Sequence, residues 1–102
     1  MARMSDHATI VRIFGGRVRE GQEDQLREAV RGAVDWLAAR DGCFGAQVCR
    51  LREDPSVLAV VSRWRDQASL DAAIQSDEYR ARTVPALQYV DGEPTTQHYT
   101  SV

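Results

Sequence analysis

The sequence predicts a single α+β domain in strand-helix-strand-strand-helix-strand order, a four-stranded antiparallel sheet with both helices on one face. Three observations lead there. A β-branched run opens the patterned part of the chain, a long amphipathic helix follows it, and two more strand-like runs come next, joined by only a few turn residues. Runs joined by so short a loop form a hairpin, and few layer arrangements accommodate that order of elements.

The first strand is Thr9 to Val18, opening Thr-Ile-Val-Arg-Ile-Phe. Alternation puts Ile10, Arg12 and Phe14 on one face and Val11 and Ile13 on the other. Gly15 and Gly16 weaken the strand and allow a bend. After Gly21, the residues Leu26, Ala29, Val30, Ala33, Val34 and Leu37 recur at steps of three and four, the stripe of an amphipathic helix. Glu23 and Asp24 in its first turn and Arg40 in its last suit the helix dipole, and Gly42 is placed to end it. That helix is expected to run about 18 residues, roughly 27 Å.

Phe44 to Leu51 reads as the second strand and Val57 to Trp64 as the third, with the turn Glu53-Asp54-Pro55-Ser56 between them. Asp66 is expected to cap a helix carrying Ala68, Leu70, Ala73 and Ile74, and Ser76-Asp77 to start a second helical segment bearing Tyr79, Thr83, Leu87 and Val90. Pro85 predicts a kink or loosened turn there. Asp91-Gly92-Glu93-Pro94 is expected to be a loop, and Thr95 to Ser101 the last strand.

With 102 residues the chain makes one domain, residues 9–102, behind a polar lead-in at residues 1–8 expected to be disordered. Net charge is −2 with acids and bases interspersed, so no basic stripe points to nucleic acid. No apolar run approaches the roughly 20 residues that span a bilayer, and the lead-in lacks the apolar centre of a signal peptide. Cys43 and Cys49, at a turn and in a strand, are too far apart to bridge in extended chain, which leaves two thiols and a cytoplasmic expectation. Two histidines and two cysteines without ligand spacing predict no metal site.

The third strand is apolar at every position from Val57 to Val61, as a strand buried on both faces would be. The helices cover one face only. A second copy of the chain is therefore expected to cover the other, burying roughly 700 Å² per subunit. At about 25 cal/mol per Å², the gross gain exceeds roughly 10 kcal/mol before association costs.

Four stretches carry a resemblance: Arg19-Glu20-Gly21-Gln22 before the long helix, Asp41-Gly42-Cys43-Phe44-Gly45 opening the second strand, Val60-Val61-Ser62-Arg63-Trp64-Arg65-Asp66-Gln67-Ala68-Ser69-Leu70, and Ser76-Asp77-Glu78-Tyr79. Over nearly the whole chain the sequence resembles the antibiotic biosynthesis monooxygenase family. The resemblance implies a ferredoxin-like βαββαβ subunit, a dimeric α/β barrel, and a pocket between sheet and helices. It further implies a cofactor-independent monooxygenase of a polycyclic phenol, anthrone or hydroquinone-type substrate, with molecular oxygen as co-substrate and no cofactor. A cyclase or isomerase on the same scaffold and a non-catalytic ligand-binding dimer are the alternatives. Haem-degrading members use an asparagine and a histidine where Phe14 and Thr83 stand here, and neither residue can replace those groups. The polyketide-oxygenase branch has an asparagine where Val60 stands.

Such chemistry needs an aromatic wall, a cation or donor for the substrate anion, and a base. Trp64 either stacks on a planar substrate or closes the core, and Leu58, Val60 and Ser62 share its face. Arg12 is a charge in an apolar strand, and if buried it needs an anionic partner from the substrate or the protein. His98 in the last strand is the candidate base, with an ordinary pKa near 6.5. Tyr79 is the candidate donor to an oxyanion. Gln47, Arg82, Phe14 and Thr83 complete the expected binding residues; solvent exposure is the commoner state of a helical arginine such as Arg82, and packing the commoner role of Tyr79 and Gln47.

Overall fold

The computed structural model describes residues 9–102; the lead-in expected at residues 1–8 lies outside the described residues. Its elements are β1 (Ile10–Val18), α1 (Glu23–Ala38), β2 (Cys43–Arg50), β3 (Val57–Trp64), α2 (Gln67–Ile74), α3 (Asp77–Thr83), a 3-10 turn (Val84–Tyr89) and β4 (Val90–Thr100). The four strands make one antiparallel sheet in the order β2-β3-β1-β4, which is the ferredoxin-like arrangement.

Local chemistry explains the boundaries. The Asp66 side chain accepts from the Ser69 N–H at the start of α2, and the Ser76 hydroxyl accepts from the Tyr79 N–H at the start of α3. Pro85 is the second residue after α3, where the chain tightens into the 3-10 turn instead of continuing an α-helix. Helix α1 ends at Ala38, about half a turn earlier than the sequence suggests. Arg40 therefore lies past its end, yet its Nε still donates to the Trp36 carbonyl at 3.0 Å. Gly42 has φ +83°, and a Cβ there would collide with the Ser69 side chain, so both its conformation and its space require glycine.

The sequence reading makes Asp91–Pro94 a loop; instead β4 begins at Val90. Between Gly15 and Arg17 the β1–β4 register shifts, so residues 92–94 bulge opposite Gly16. Pro94 is tolerated because β4 is an edge strand with no ladder bond to give on its outer side.

Two clusters of buried residues lie between sheet and helices. One joins Val18, Leu26, Leu58, Ala86 and Val90, the other Leu37, Trp64, Leu70, Ala73 and Tyr79. Among the described residues, no element covers the opposite face of the sheet. Val11, Ile13, Val57, Ala59, Val61 and Cys49 form its centre, each only half-buried, with Tyr99 52% exposed at the margin. Among the described residues, no helix is long and apolar enough to cross a membrane.

Candidate active site

Between the two buried clusters an apolar cleft opens on the helix-covered side of the sheet. Phe14, Val48, Leu58 and Val60 form its floor, and Leu26, Val30, Ala33 and Leu37 of α1 form one wall. Tyr79, Thr83, Ala86 and Leu87 form the other wall. Its volume is about 50 Å³. That is well below the roughly 300 Å³ at the small end of ligand pockets, so the pocket expected between sheet and helices is a narrow slot.

Very little of this lining is polar. The Thr83 hydroxyl donates to the Tyr79 carbonyl at 2.9 Å and is thereby satisfied. The Tyr79 hydroxyl accepts from Arg12 Nη1 at 3.0 Å, which leaves its own proton to donate. Arg12 is only 6% exposed. Among the described residues no carboxylate pairs with it, and its Nε is buried without a hydrogen-bond partner. Instead the guanidinium lies 4.9 Å from the Phe14 ring centre and 5.6 Å from that of Tyr79. Two aromatic faces partly offset the cost of burying this cation.

Strand register sets the neighbours of Arg12. Ser62 lies directly opposite it on β3 and His98 directly opposite on β4, so Ser62, Arg12 and His98 form one row on the helix-facing side. His98 is exposed, because the helices do not reach over the outer edge of β4.

The sequence-expected residues thus divide. Phe14, Val60, Tyr79 and Thr83 line the cleft, and Arg12 touches it through Tyr79. Trp64 is a correction: it is 0% exposed, packs in the cluster with Leu37 and Leu70, and does not line the cleft. Its indole N–H donates to the Ser62 hydroxyl at 2.9 Å, so Ser62 is committed to holding Trp64. Gln47 is also corrected. It pairs opposite Val61 and stands on the uncovered face, because alternation from Ala46 and Val48 sends it away from the helices. Arg82 points outward to Glu78 of its own helix, at 3.0 Å. The expected aromatic wall is therefore Phe14 with Tyr79 rather than Trp64. Sequence reasoning passed over Leu37, Ala33 and Leu87 as lining, although the stripe of α1 put the first two on the sheet-facing side.

The sequence profile of the antibiotic biosynthesis monooxygenase family matches residues 9–82. The chain belongs to this family. Solved structures with the same fold include a conserved protein from Methanosarcina mazei, 19% identical, with TM-score 0.87 over 97% of this chain and 98% of that one. A conserved protein of unknown function from Bacteroides thetaiotaomicron, described as a possible oxidoreductase, is 14% identical with TM-score 0.79 over 92% and 98%. A Nitrosomonas europaea protein provisionally described as an antibiotic biosynthesis monooxygenase is 13% identical with TM-score 0.82 over 92% and 90%. At these identities the likeness shows the fold. No curated protein matches the chain. In this member of the antibiotic biosynthesis monooxygenase family, Phe14 lines the slot and the neighbouring Arg12 has no carboxylate partner among the described residues.

Proposed function

We propose that the protein is a cofactor-independent monooxygenase acting on a small phenol or hydroquinone-type substrate, working as a cytoplasmic homodimer. The observation that carries this reading is the Arg12–Tyr79 pair at the edge of an otherwise hydrocarbon slot. A cation that polarises a hydroxyl whose own proton is free to donate beside an apolar cleft favours an oxyanion there over its neutral form. His98, beside Arg12 on β4, is the candidate that takes the phenolic proton. The phenolate then passes one electron to molecular oxygen, and the radical pair joins to form a C–O bond at a ring carbon that bears hydrogen, para to the anion in a simple phenol and ortho to it in a hydroquinone. Loss of that carbon's proton and cleavage of the O–O bond release water. One oxygen atom stays in the quinone, the other leaves in water, and the substrate supplies all four electrons.

The uncovered sheet face supports the dimer, since its six central side chains are aliphatic or a thiol and are only half-buried. The unpaired thiols of Cys43 and Cys49 support the cytoplasm, where they would remain reduced.

One observation favours a second reading, a dimer that binds a small aromatic ligand without turning it over: among the described residues, no Asp, Glu or His lines the slot. Oxygen consumption with a panel of phenols and hydroquinones separates the two. Uptake of one oxygen molecule per quinone formed, lost in Tyr79→Phe, supports the oxygenase. Binding by calorimetry with no uptake for any compound assigns the second reading.

A further inference from the structure

We infer that the Nε–Nη2 edge of the Arg12 guanidinium is a binding site for the carboxylate of a small organic acid, entered across the outer edge of β4. This goes beyond the oxygenase reading, which uses only the Nη1 corner through Tyr79. A guanidinium offers five N–H donors. Arg12 spends one of them, from Nη1, on the Tyr79 oxygen. Its Nε is buried without a partner, and Nη2 makes no hydrogen bond among the described residues. These two nitrogens share one edge, and their parallel N–H bonds match the two oxygens of a carboxylate. The residue is only 6% exposed, and no carboxylate pairs with it among the described residues. A buried charge held without a partner costs stability. The Phe14 and Tyr79 rings ease that cost but supply no oxygen or nitrogen acceptor to the open edge. The missing acceptor is what a ligand would bring.

Strand register sets the way in. On the β3 flank Ser62 is 1% exposed and its hydroxyl holds the Trp64 indole, so that side is closed. On the β4 flank His98 stands opposite Arg12, with Thr96 and Thr100 one alternation step to either side on the same face. All three are exposed on an edge strand, so their side chains can part to let an acid group reach Nε. Their hydroxyls and imidazole are further donors beside it. The row Ser62, Arg12, His98 holds a single permanent charge, which suits a monoanion better than a phosphate dianion.

The test is a titration of the full chain with sodium propionate at constant ionic strength, followed through the proton–nitrogen NMR signal of the Arg12 Nε–H. Arg12→Lys identifies that signal by its absence. Propionamide, of the same shape but neutral, and inorganic phosphate are titrated alongside, and melting curves are recorded with each compound against equal sodium chloride. Propionate is expected to shift the Nε–H signal saturably and to bind about tenfold or more tightly than propionamide. It is also expected to raise the melting temperature. That rise should vanish in Arg12→Met and shrink in Arg12→Lys, which keeps the charge but not the fork. Should Arg12→Met not fold, the lysine variant and the wild-type preference for acid over amide decide. No saturable shift and no rise in melting temperature, equal binding of propionamide, tighter binding of phosphate, or an undiminished rise in the folded variants overturns the inference. Tyr79→Phe and oxygen uptake separate it from the oxygenase reading, since Tyr79→Phe should keep propionate binding within a few-fold. Propionate binding without uptake from any phenol keeps the carboxylate site and discards the oxygenase, while uptake without propionate binding keeps the oxygenase and discards the site.

Discussion

Arg12 and Tyr79 lie 67 residues apart in sequence and meet through a buried 3.0 Å hydrogen bond from guanidinium to phenol oxygen. β1 contributes the cation and α3 the hydroxyl, so the pair forms only once the helical layer has docked on the sheet. It is both a packing contact across the two layers and, with the Thr83 hydroxyl spent on the Tyr79 carbonyl, the polar pair that leaves the slot a free donor.

Tyr79→Phe should therefore cost twice. The variant loses the only free donor at the slot among the described residues and leaves Arg12 with a further buried N–H unpaired. Leaving a buried donor unsatisfied costs about 1–3 kcal/mol. Urea denaturation should show a loss in that range, and calorimetry should show phenol binding weakened by roughly 10- to 100-fold. Unchanged affinity in a folded Tyr79→Phe variant removes the hydroxyl from the site.

Trp64→Ala tests core against pocket. With 0% exposure and a bond to Ser62, Trp64 is expected to lower stability by about 3–5 kcal/mol when truncated. Trp64→Phe keeps most of the volume and should retain phenol affinity within about threefold while losing roughly 1–3 kcal/mol through the unpaired Ser62 hydroxyl and the smaller ring. A folded Trp64→Phe protein that no longer binds phenols would return Trp64 to the slot.

These expectations show where the sequence was legible. Periodicity located all four strands and the stripe of α1, because one face of each had to be apolar. Caps at Asp66 and Ser76 were readable because a short polar side chain ahead of a helix has a specific task. What escaped were features set by the third dimension. Whether Trp64 faced a chamber or filled one depended on how closely α1 and α2 approached the sheet. The emptiness beside Phe14 is a matter of a few ångströms of packing, which alternation does not encode. Gln47 could have been placed, since the parity that put Ala46 and Val48 under the helices put it outside. The start of β4 was missed because Pro94 reads as a loop residue until the bulge opposite Gly16 is known.

The uncovered sheet face predicts the oligomer. Val61→Asp puts a carboxylate at the centre of that face, next to Ile13 on β1 and Gln47 on β2. An unpaired buried charge at an interface is strongly unfavourable. Sedimentation equilibrium at micromolar concentration should give a dimer for the wild type and a monomer for Val61→Asp, with the helical signal in circular dichroism kept. A wild type that sediments as a single chain removes the dimer, and with it the reason for the apolar face.

Acid stability gives the last expectation. Asp54, at the tip of the β2–β3 hairpin, has its carboxyl pKa held down to about 2. The hydroxyl of Ser56 contributes most, followed by the guanidinium of Arg17, which bonds it at 2.8 Å. Unfolded, the same group titrates near its ordinary value of roughly 3.9. A carboxyl with a lower pKa in the folded state stabilises the fold at pH values above the unfolded pKa, and the contribution disappears as the pH falls through the folded value. Asp54→Asn should therefore melt below the wild type by a constant margin from neutral pH down to about pH 5. The margin should shrink between about pH 4 and pH 2 as the wild-type carboxyl gains its proton. Because Asp54 is open to solvent, moderate salt should narrow the margin as well. Melting curves for both proteins across that pH range decide it, and a margin that persists unchanged at pH 2 would assign the loss to the hairpin's packing rather than to its charge.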